Sequence, residues 1–329
     1  MQLVLFQSIP SFKVLKVCFD SALQEFEFSR KSPSMRKVLI VGTISNAEKN
    51  FIRDLRALKN ALSSFEVVKY FLVESDSTDS TIEILKRCKS ENANFDFISL
   101  GTLKNSIPER IERIRFCRNK YVEEIRRTHP SQDWDFVIVA DMDGMNRAIS
   151  ESAILNTLCT NKDWDGCFAN QSFGYYDVFA LRATNWLEGN CFSTLNQLKT
   201  TKPFVSRFNS RYLHFIEAFR YFDKLRVEAI YSKMRRIKRS EDWIRVNSAF
   251  GGLGIYRPQL FLDFDYSFQQ LEPEIYSEHL DFHSKCVADG ANFFINPKLV
   301  NARLNEYNLN RLKLVRFARE FRKFLRSEP

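Results

Sequence analysis

FVIVADMDGMN, residues 136–146, runs five apolar residues straight into two aspartates separated by one residue. A continuous apolar run of that length, closed by Asp and Gly, is the pattern of a strand covered on both faces. Such strands belong to parallel sheets, whose crossover helices bury both sides. Asp141 and Asp143 would then stand at a strand's carboxyl end, where open α/β sheets collect ligands. One carboxylate of such a pair can serve a bound ligand and the other a hard cation, Mg²⁺ or Mn²⁺. The plainer reading of DMDG is a turn, since Asp and Gly are common in turns.

The flanking chain fits the parallel sheet. VLIVGT (38–43) is an apolar run, and after it Phe51, Leu55, Leu58 and Leu62 recur at helical spacing. VVKYFLVE (67–74) reads as the next strand, SDSTDS (75–80) as turn and cap, and TIEILKRC (81–88) as a second helix. NFDFISL (94–100) is a third strand, Pro108 opens a long helix to about Arg127, and DFVIVA (135–140) is the fourth strand. Thr43 and Asn46 follow the first strand, Glu74 ends the second, and Asp141 and Asp143 end the fourth, so all are expected along one sheet edge.

Length and composition bound the reading. The 329 residues suit one large α/β domain or two modest ones, and 27% charged with 44% hydrophobic residues is ordinary globular composition. A formal charge of +9 points to anionic partners: nucleotide diphosphates, lipid surfaces or nucleic acid. The seven cysteines are scattered without a CxxC pair, which predicts a reduced, cytoplasmic setting. No run approaches the roughly 20 apolar residues of a membrane span. MQLVLF and VLKVCF near the start are interrupted by Pro10 and Lys13, so no secretory signal is expected.

Two stretches taken together, VESDSTDST (73–81) and DWDFVIVADMDGMN (133–146), resemble the nucleotide-sugar glycosyltransferases of the GT-A fold. Glu74, Ser77, Asp79 and Thr81 match that family's acidic strand end and its Ser-x-Asp-x-Thr turn, and Asp141 with Asp143 match its DxD. Ser75 departs from it, since many members carry a second acidic residue there. The helix RIERIRFCRNKYVEEIRR (110–127) resembles the Arg-containing helix of capsule and lipopolysaccharide-type transferases, including the fungal capsule mannosyltransferase family. What the resemblance implies is a Rossmann-like, mostly parallel sheet flanked by helices. It places Thr43, Asn46, Glu74, Asp79, Arg110, Arg118, Asn119 and Asp141 at the donor, with Arg113 a further candidate, and Asp143 on a Mn²⁺ or Mg²⁺ ion.

Three later segments extend the resemblance. WDGCFANQSFGYYDVFALR (164–182) reads as strand, turn, strand, and Asp177 among aromatic rings suits the hydroxyls of an acceptor sugar. VNSAFGGLGIYRP (246–258) resembles the loop that closes over donor and acceptor, with Gly251 and Gly252 as the close-approach positions. SEHLDFH (277–283) packs Glu278, His279, Asp281 and His283 into one helix-length run. The resemblance makes Glu278 or Asp281 the base acting on an acceptor hydroxyl and His279 a metal ligand. His279 and His283 lie four apart, so a two-His site is allowed if the run is helical. The alternative is a helix whose Ile275, Leu280 and Phe282 pack inward while its polar residues face solvent.

The expected organisation is an amphipathic appendage over 1–36, a GT-A domain over 37–302 with a basic helical insertion near 205–242, and a basic amphipathic helix over 303–329. That last helix suits either an anionic membrane surface or docking of its apolar stripe on the core. The whole reads as a metal-dependent transferase moving a sugar from a nucleotide-diphosphate donor to a glycan or lipid-linked acceptor in surface polysaccharide synthesis, cytoplasmic or peripheral on the membrane's inner face, with no nucleic acid partner. A sugar-nucleotide pyrophosphorylase would carry a Gly-rich Arg/Lys loop after its first strand, and VGTISNAEKN lacks one. A non-catalytic basic protein binding nucleic acid or membrane would leave both acidic motifs unexplained.

Overall fold

The structure, a computed structural model, describes residues 32–267, 277–305 and 307–326. Residues 1–31 of the expected appendage, and Ile275, lie outside them. The alternation read from the sequence forms β1 (Lys37–Ile44), α1 (Phe51–Ala61), β2 (Val67–Glu74), α2 (Thr81–Glu91), β3 (Phe95–Ser99), α3 (Arg110–Gln132) and β4 (Phe136–Ala140). After these come α4 (Glu151–Leu158), β5 (Gly166–Gln171), α5 (Cys191–Thr201), α6 (Arg211–Ala229), β6 (Ile244–Val246), β7 (Leu253–Tyr256), α7 (Gln259–Asp263), α8 (Glu278–Ala288), β8 (Phe293–Ala302) and α9 (Lys313–Arg326).

Among the described residues the strands form one mixed sheet of order β3-β2-β1-β4-β7-β5-β8-β6. β1 to β4, β5 and β8 run one way, while β7 runs antiparallel to both β4 and β5, and β6 antiparallel to β8. Each central strand divides its side chains between two cores, as the period of two requires. Val137 and Val139 join Tyr121 and Ile125 of α3, whereas Phe136 and Ile138 join Phe51 and Leu58 of α1. That two-sided burial is why the strand carries no polar residue before Asp141. β1 and β4 approach closely at Gly42, where an added Cβ would run into the carbonyl oxygen of Ala140.

Two expectations are corrected. α3 runs beyond Arg127 to Gln132 with Pro130 in its last turn, and closes on Asp133 in the left-handed conformation, whose amide donates to His129 O at 2.8 Å. The strand-turn-strand over 164–182 yields only β5. Its second half leaves the sheet, because the Asp177 carboxylate accepts the amides of Ala180 (3.3 Å) and Gly251 (2.9 Å) and turns the chain. What remains of strand pairing there is an isolated bridge of Arg182 with Ser248.

α6 and α9 pack against each other. Phe215 stacks on Phe324 with centroids 4.6 Å apart, Phe219 meets Phe317 edge-on at 5.0 Å, and buried Arg316 pairs with Asp223 at 2.5 Å. Leu314 of the expected stripe does not dock and is 82% exposed. No described helix is long and apolar enough to cross a membrane.

Candidate functional site

At the carboxyl ends of β1, β2 and β4 the chain opens a cleft of about 620 Å³. Thr43, Arg110, Arg113, Arg118, Asp141 and Asp143 line it, together with Asp177, Glu278 and His279. The DMDGMN turn that carries the two aspartates is braced from α1. Asp54 accepts the amides of Gly144 (2.6 Å) and Asn146 (3.3 Å), and the Asn50 carboxamide donates to Asp143 O at 2.7 Å. The glycine loop meets the same turn from the other side. Asp141 N donates to Gly252 O at 3.0 Å, as the β4–β7 pairing dictates.

α3 and α8 supply the charged wall. Arg118, almost fully buried, donates from Nε to Glu278 Oε1 at 2.8 Å and from Nη1 to the Tyr121 hydroxyl at 3.1 Å, and its Nη2 lies 3.9 Å from Asp141 Oδ1. Its guanidinium also covers the rings of Phe250 and Tyr266, 5.4 and 5.6 Å from their centroids. Burial pushes the Asp141 carboxyl up to about 7, with the charge of Asp143 adding to the rise and Arg118 opposing it. Burial raises Asp177 too, against the two amides it accepts. At this wall Asp141, Asp143, Asp177 and Glu278 gather around Arg118, an arrangement that favours binding of a cation.

His279 is 3% exposed and stacks on Phe250 at 4.0 Å, and neither ring nitrogen has a hydrogen-bond partner. Burial and the nearby Arg118 charge drive its pKa well below the usual value, so the ring is neutral with a lone pair to give. An orphaned buried imidazole beside a cleft that holds two aspartates suits a borderline or hard divalent ion. Among the described residues no three His, Cys, Asp or Glu side chains gather into a ready cation site.

Several sequence-predicted residues stand elsewhere. Glu74 is fully buried and turned away from the cleft, accepting the Ser77 amide at 3.0 Å and the Ser99 hydroxyl. Asn46, with φ of 50°, accepts the amide and hydroxyl of Thr78 at 2.8 and 3.2 Å. Asp79 accepts Thr81 N at 3.1 Å and Glu48 N at 3.2 Å; these bonds and the Thr81 hydroxyl outweigh burial and hold its carboxyl low. These three residues fold the Ser-x-Asp-x-Thr turn. Asn119 accepts Tyr266 N at 2.8 Å and does not line the cleft.

Gly251 and Gly252 are buried against their own fold, not aimed at a ligand. Their φ values are 70° and 82°, and a Cβ on Gly251 would lie 2.8 Å from Ala169 O. Asp281 is buried beneath the cleft wall, paired with Arg115. The two-His site does not form: the rings stack at 5.4 Å, but His283 spends Nδ1 on Ser248 (2.9 Å) and Nε2 on Tyr256 (3.0 Å).

Sequence reasoning missed Asp76, which lines the cleft where Ser75 broke the family pattern. Its left-handed φ of 59° swings it off the end of β2, where Oδ1 accepts Lys104 N at 2.8 Å and Oδ2 faces Arg113 Nε at 3.5 Å. An Asp following a strand end, with its tolerance of that conformation, was the available signal. Tyr307, stacked on Tyr176 at 5.1 Å, also lines the cleft, and its distance in the chain from the Tyr176–Asp177 run gave no signal.

No protein-family model matches the chain, and no curated protein sequence matches it. Solved structures similar to it include S. aureus TarS 1–349 in complex with UDP, at 14% identity and a TM-score of 0.41, covering 88% of this chain. The chain spans 63% of that protein's length. The mannosyltransferase PcManGT from Pyrobaculum calidifontis in complex with GDP-Man and Mn²⁺ is 12% identical, with a TM-score of 0.40, covering 97% of this chain and 75% of the other. Glucosyl-3-phosphoglycerate synthase from Mycobacterium tuberculosis, with Mn²⁺, UDP and phosphoglyceric acid, is 13% identical, with a TM-score of 0.35, covering 82% of this chain and 67% of the other.

Proposed function

We propose that the chain is a metal-dependent glycosyltransferase of GT-A type that moves a sugar from a nucleotide-diphosphate donor to a hydroxyl-bearing glycan or lipid-linked acceptor in surface polysaccharide synthesis. The observation that carries this reading is the cleft itself. It joins two aspartates at a buried strand's end, three arginines of one helix, and an orphaned neutral imidazole.

Arg110 and Arg113 at the start of α3 suit the negative charge of a diphosphate. Asp143 and His279 would hold a Mn²⁺ or Mg²⁺ ion, which when bound neutralises charge on the departing diphosphate. Glu278 is the acidic residue of α8 that reaches the cleft, and Arg118 fixes its orientation. In an inverting transfer the acceptor oxygen bonds to the anomeric carbon as that carbon's bond to the phosphate oxygen breaks. The bonding pair leaves with the diphosphate, and the hydroxyl proton passes to Glu278. The exposed leucines and basic residues of α9 support a seat on the inner face of a membrane.

A donor-turnover assay over a panel of sugar nucleotides, with Mn²⁺, Mg²⁺ or chelator, tests the reading. At least one donor should turn over in a metal-dependent way, and Asp143→Ala should lower that rate by about 10²-fold or more. Wild-type turnover in excess chelator, or by the Ala variant, would refute the metal role. Silence across the whole panel, with no calorimetric binding of any nucleotide diphosphate, would refute the donor site.

A further inference from the structure

A second cavity, of about 640 Å³, adjoins the cleft and shares two residues with it, Asp143 and Tyr307. These two form the partition between the spaces. The charged side chains on its walls are Asp143, Arg147 and Arg303, with Asn50 between them and Met145 and Leu304 giving apolar surface. A carboxylate engaged on a cation in the cleft would leave this space to two arginines.

Arg147 is tied into the catalytic turn through a neutral partner. Its Nη2 donates to Asn50 Oδ1, while Asn50 Nδ2 donates to Asp143 O at 2.7 Å. A carboxamide partner orients a guanidinium without cancelling its charge. Arg303 stands exposed just past the end of β8. At the partition Tyr307 stacks on Tyr176, the planes 18° apart, so an aromatic face borders both spaces. Aromatic faces suit the C–H surface of a sugar ring, and paired arginines suit the oxygens of a phosphate.

We propose that this cavity is the acceptor subsite, and that it selects an acceptor carrying a phosphate near its reacting hydroxyl, held by Arg147 and Arg303. The inference rests on the transferase reading and names the acceptor class for it. A small aliphatic or sugar phosphate fits the space with its anionic end on the arginines and its hydroxyl reaching past the Asp143 partition into the cleft that Glu278 lines. The positive charge of the chain then has a use beyond the donor diphosphate.

The test compares glucose 6-phosphate with glucose as probes, by calorimetry on the full chain without donor, in wild type, Arg303→Glu and Arg303→Lys. Wild type should bind the phosphorylated probe at least about tenfold more tightly, the scale of one charge-assisted hydrogen bond. Arg303→Glu should shrink that gap to under about threefold, and Arg303→Lys should keep most of it. Nucleotide-diphosphate binding, measured on the same proteins, should not change. Equal binding of the two probes, no binding of either, or a gap that survives Arg303→Glu would overturn the proposal. Because the gap is read without donor, a chain that never turns over a sugar nucleotide would fail the transferase reading while still giving its own answer here.

Discussion

Arg118→Met is the substitution in which the structure concentrates most consequence. Methionine keeps the apolar stem and removes the guanidinium that donates to Glu278 at 2.8 Å and to Tyr121 at 3.1 Å. The Glu278 side chain, 10% exposed, would be left with His279 Nε2 3.7 Å away, and that ring is neutral. Asp141 would lose the charge that opposes its upward shift. Removing one member of a buried ion pair costs about 3–5 kcal/mol, mostly as the penalty of an orphaned charge. The expected loss, read by urea denaturation at pH 7.5, is therefore about 3 kcal/mol or more. Adding Glu278→Gln deletes the orphan, so the double variant should recover more than half of it. The deficit should also shrink as pH falls toward 5, because Asp141, freed of the charge that opposes its upward shift, takes up a proton in the folded state. A loss under about 1 kcal/mol, or additive costs in the double variant, would refute the view of Arg118 as the neutralising centre of the cleft.

Two further outcomes follow from the fold around the site. Burial, only partly offset by the amides of Gly144 and Asn146, raises the Asp54 carboxyl from 3.8 to about 6. Its raised folded value means that acidification stabilises the native state between about pH 6 and pH 4, so wild-type stability minus that of Asp54→Asn should grow by about 2 kcal/mol from pH 7 to pH 4; a pH-independent difference in parallel urea titrations would contradict the assignment. On α9, Leu314 at 82% and Leu325 at 46% exposure flank basic side chains. Leu314→Glu with Leu325→Glu should weaken sedimentation with phosphatidylserine vesicles by roughly tenfold or more without altering the urea midpoint, and unchanged or salt-insensitive binding would rule out a membrane seat for that face.

Strand positions and the direction of the sheet were legible because they depend on a local, two-sided apolar pattern. The five residues before Asp141 admit little else once both faces are covered. Polar side chains at strand ends are another matter. Glu74, Asn46 and Asp79 lie beside the cleft in sequence, but each is consumed in folding the turn that follows β2. Sequence proximity places a residue at an edge without saying which way its side chain faces. An Asp or Asn that satisfies backbone amides looks, in one dimension, the same as one that waits for a ligand.

The acidic run on α8 shows what further information is needed. Arg115 and Arg118 are three apart on α3, and Glu278 and Asp281 are three apart on α8, so each helix presents a two-rung face. The helices meet as a ladder, Arg118 with Glu278 and Arg115 with Asp281. The R-x-x-R and E-x-x-D spacings announce that two rungs can form. They do not say which rung lies at the open end, since both acids are equally suited to either arginine. That choice comes from tertiary register: Phe250 and Tyr266 flank Arg118 and line up its rung with Asp141, whereas the Arg115 rung closes against the body of the protein. Sliding α8 by one turn would bring Asp281 opposite Arg118 in place of Glu278 with no change in sequence, so the role proposed for Glu278 rests on packing, and the Arg118 variants test that pairing.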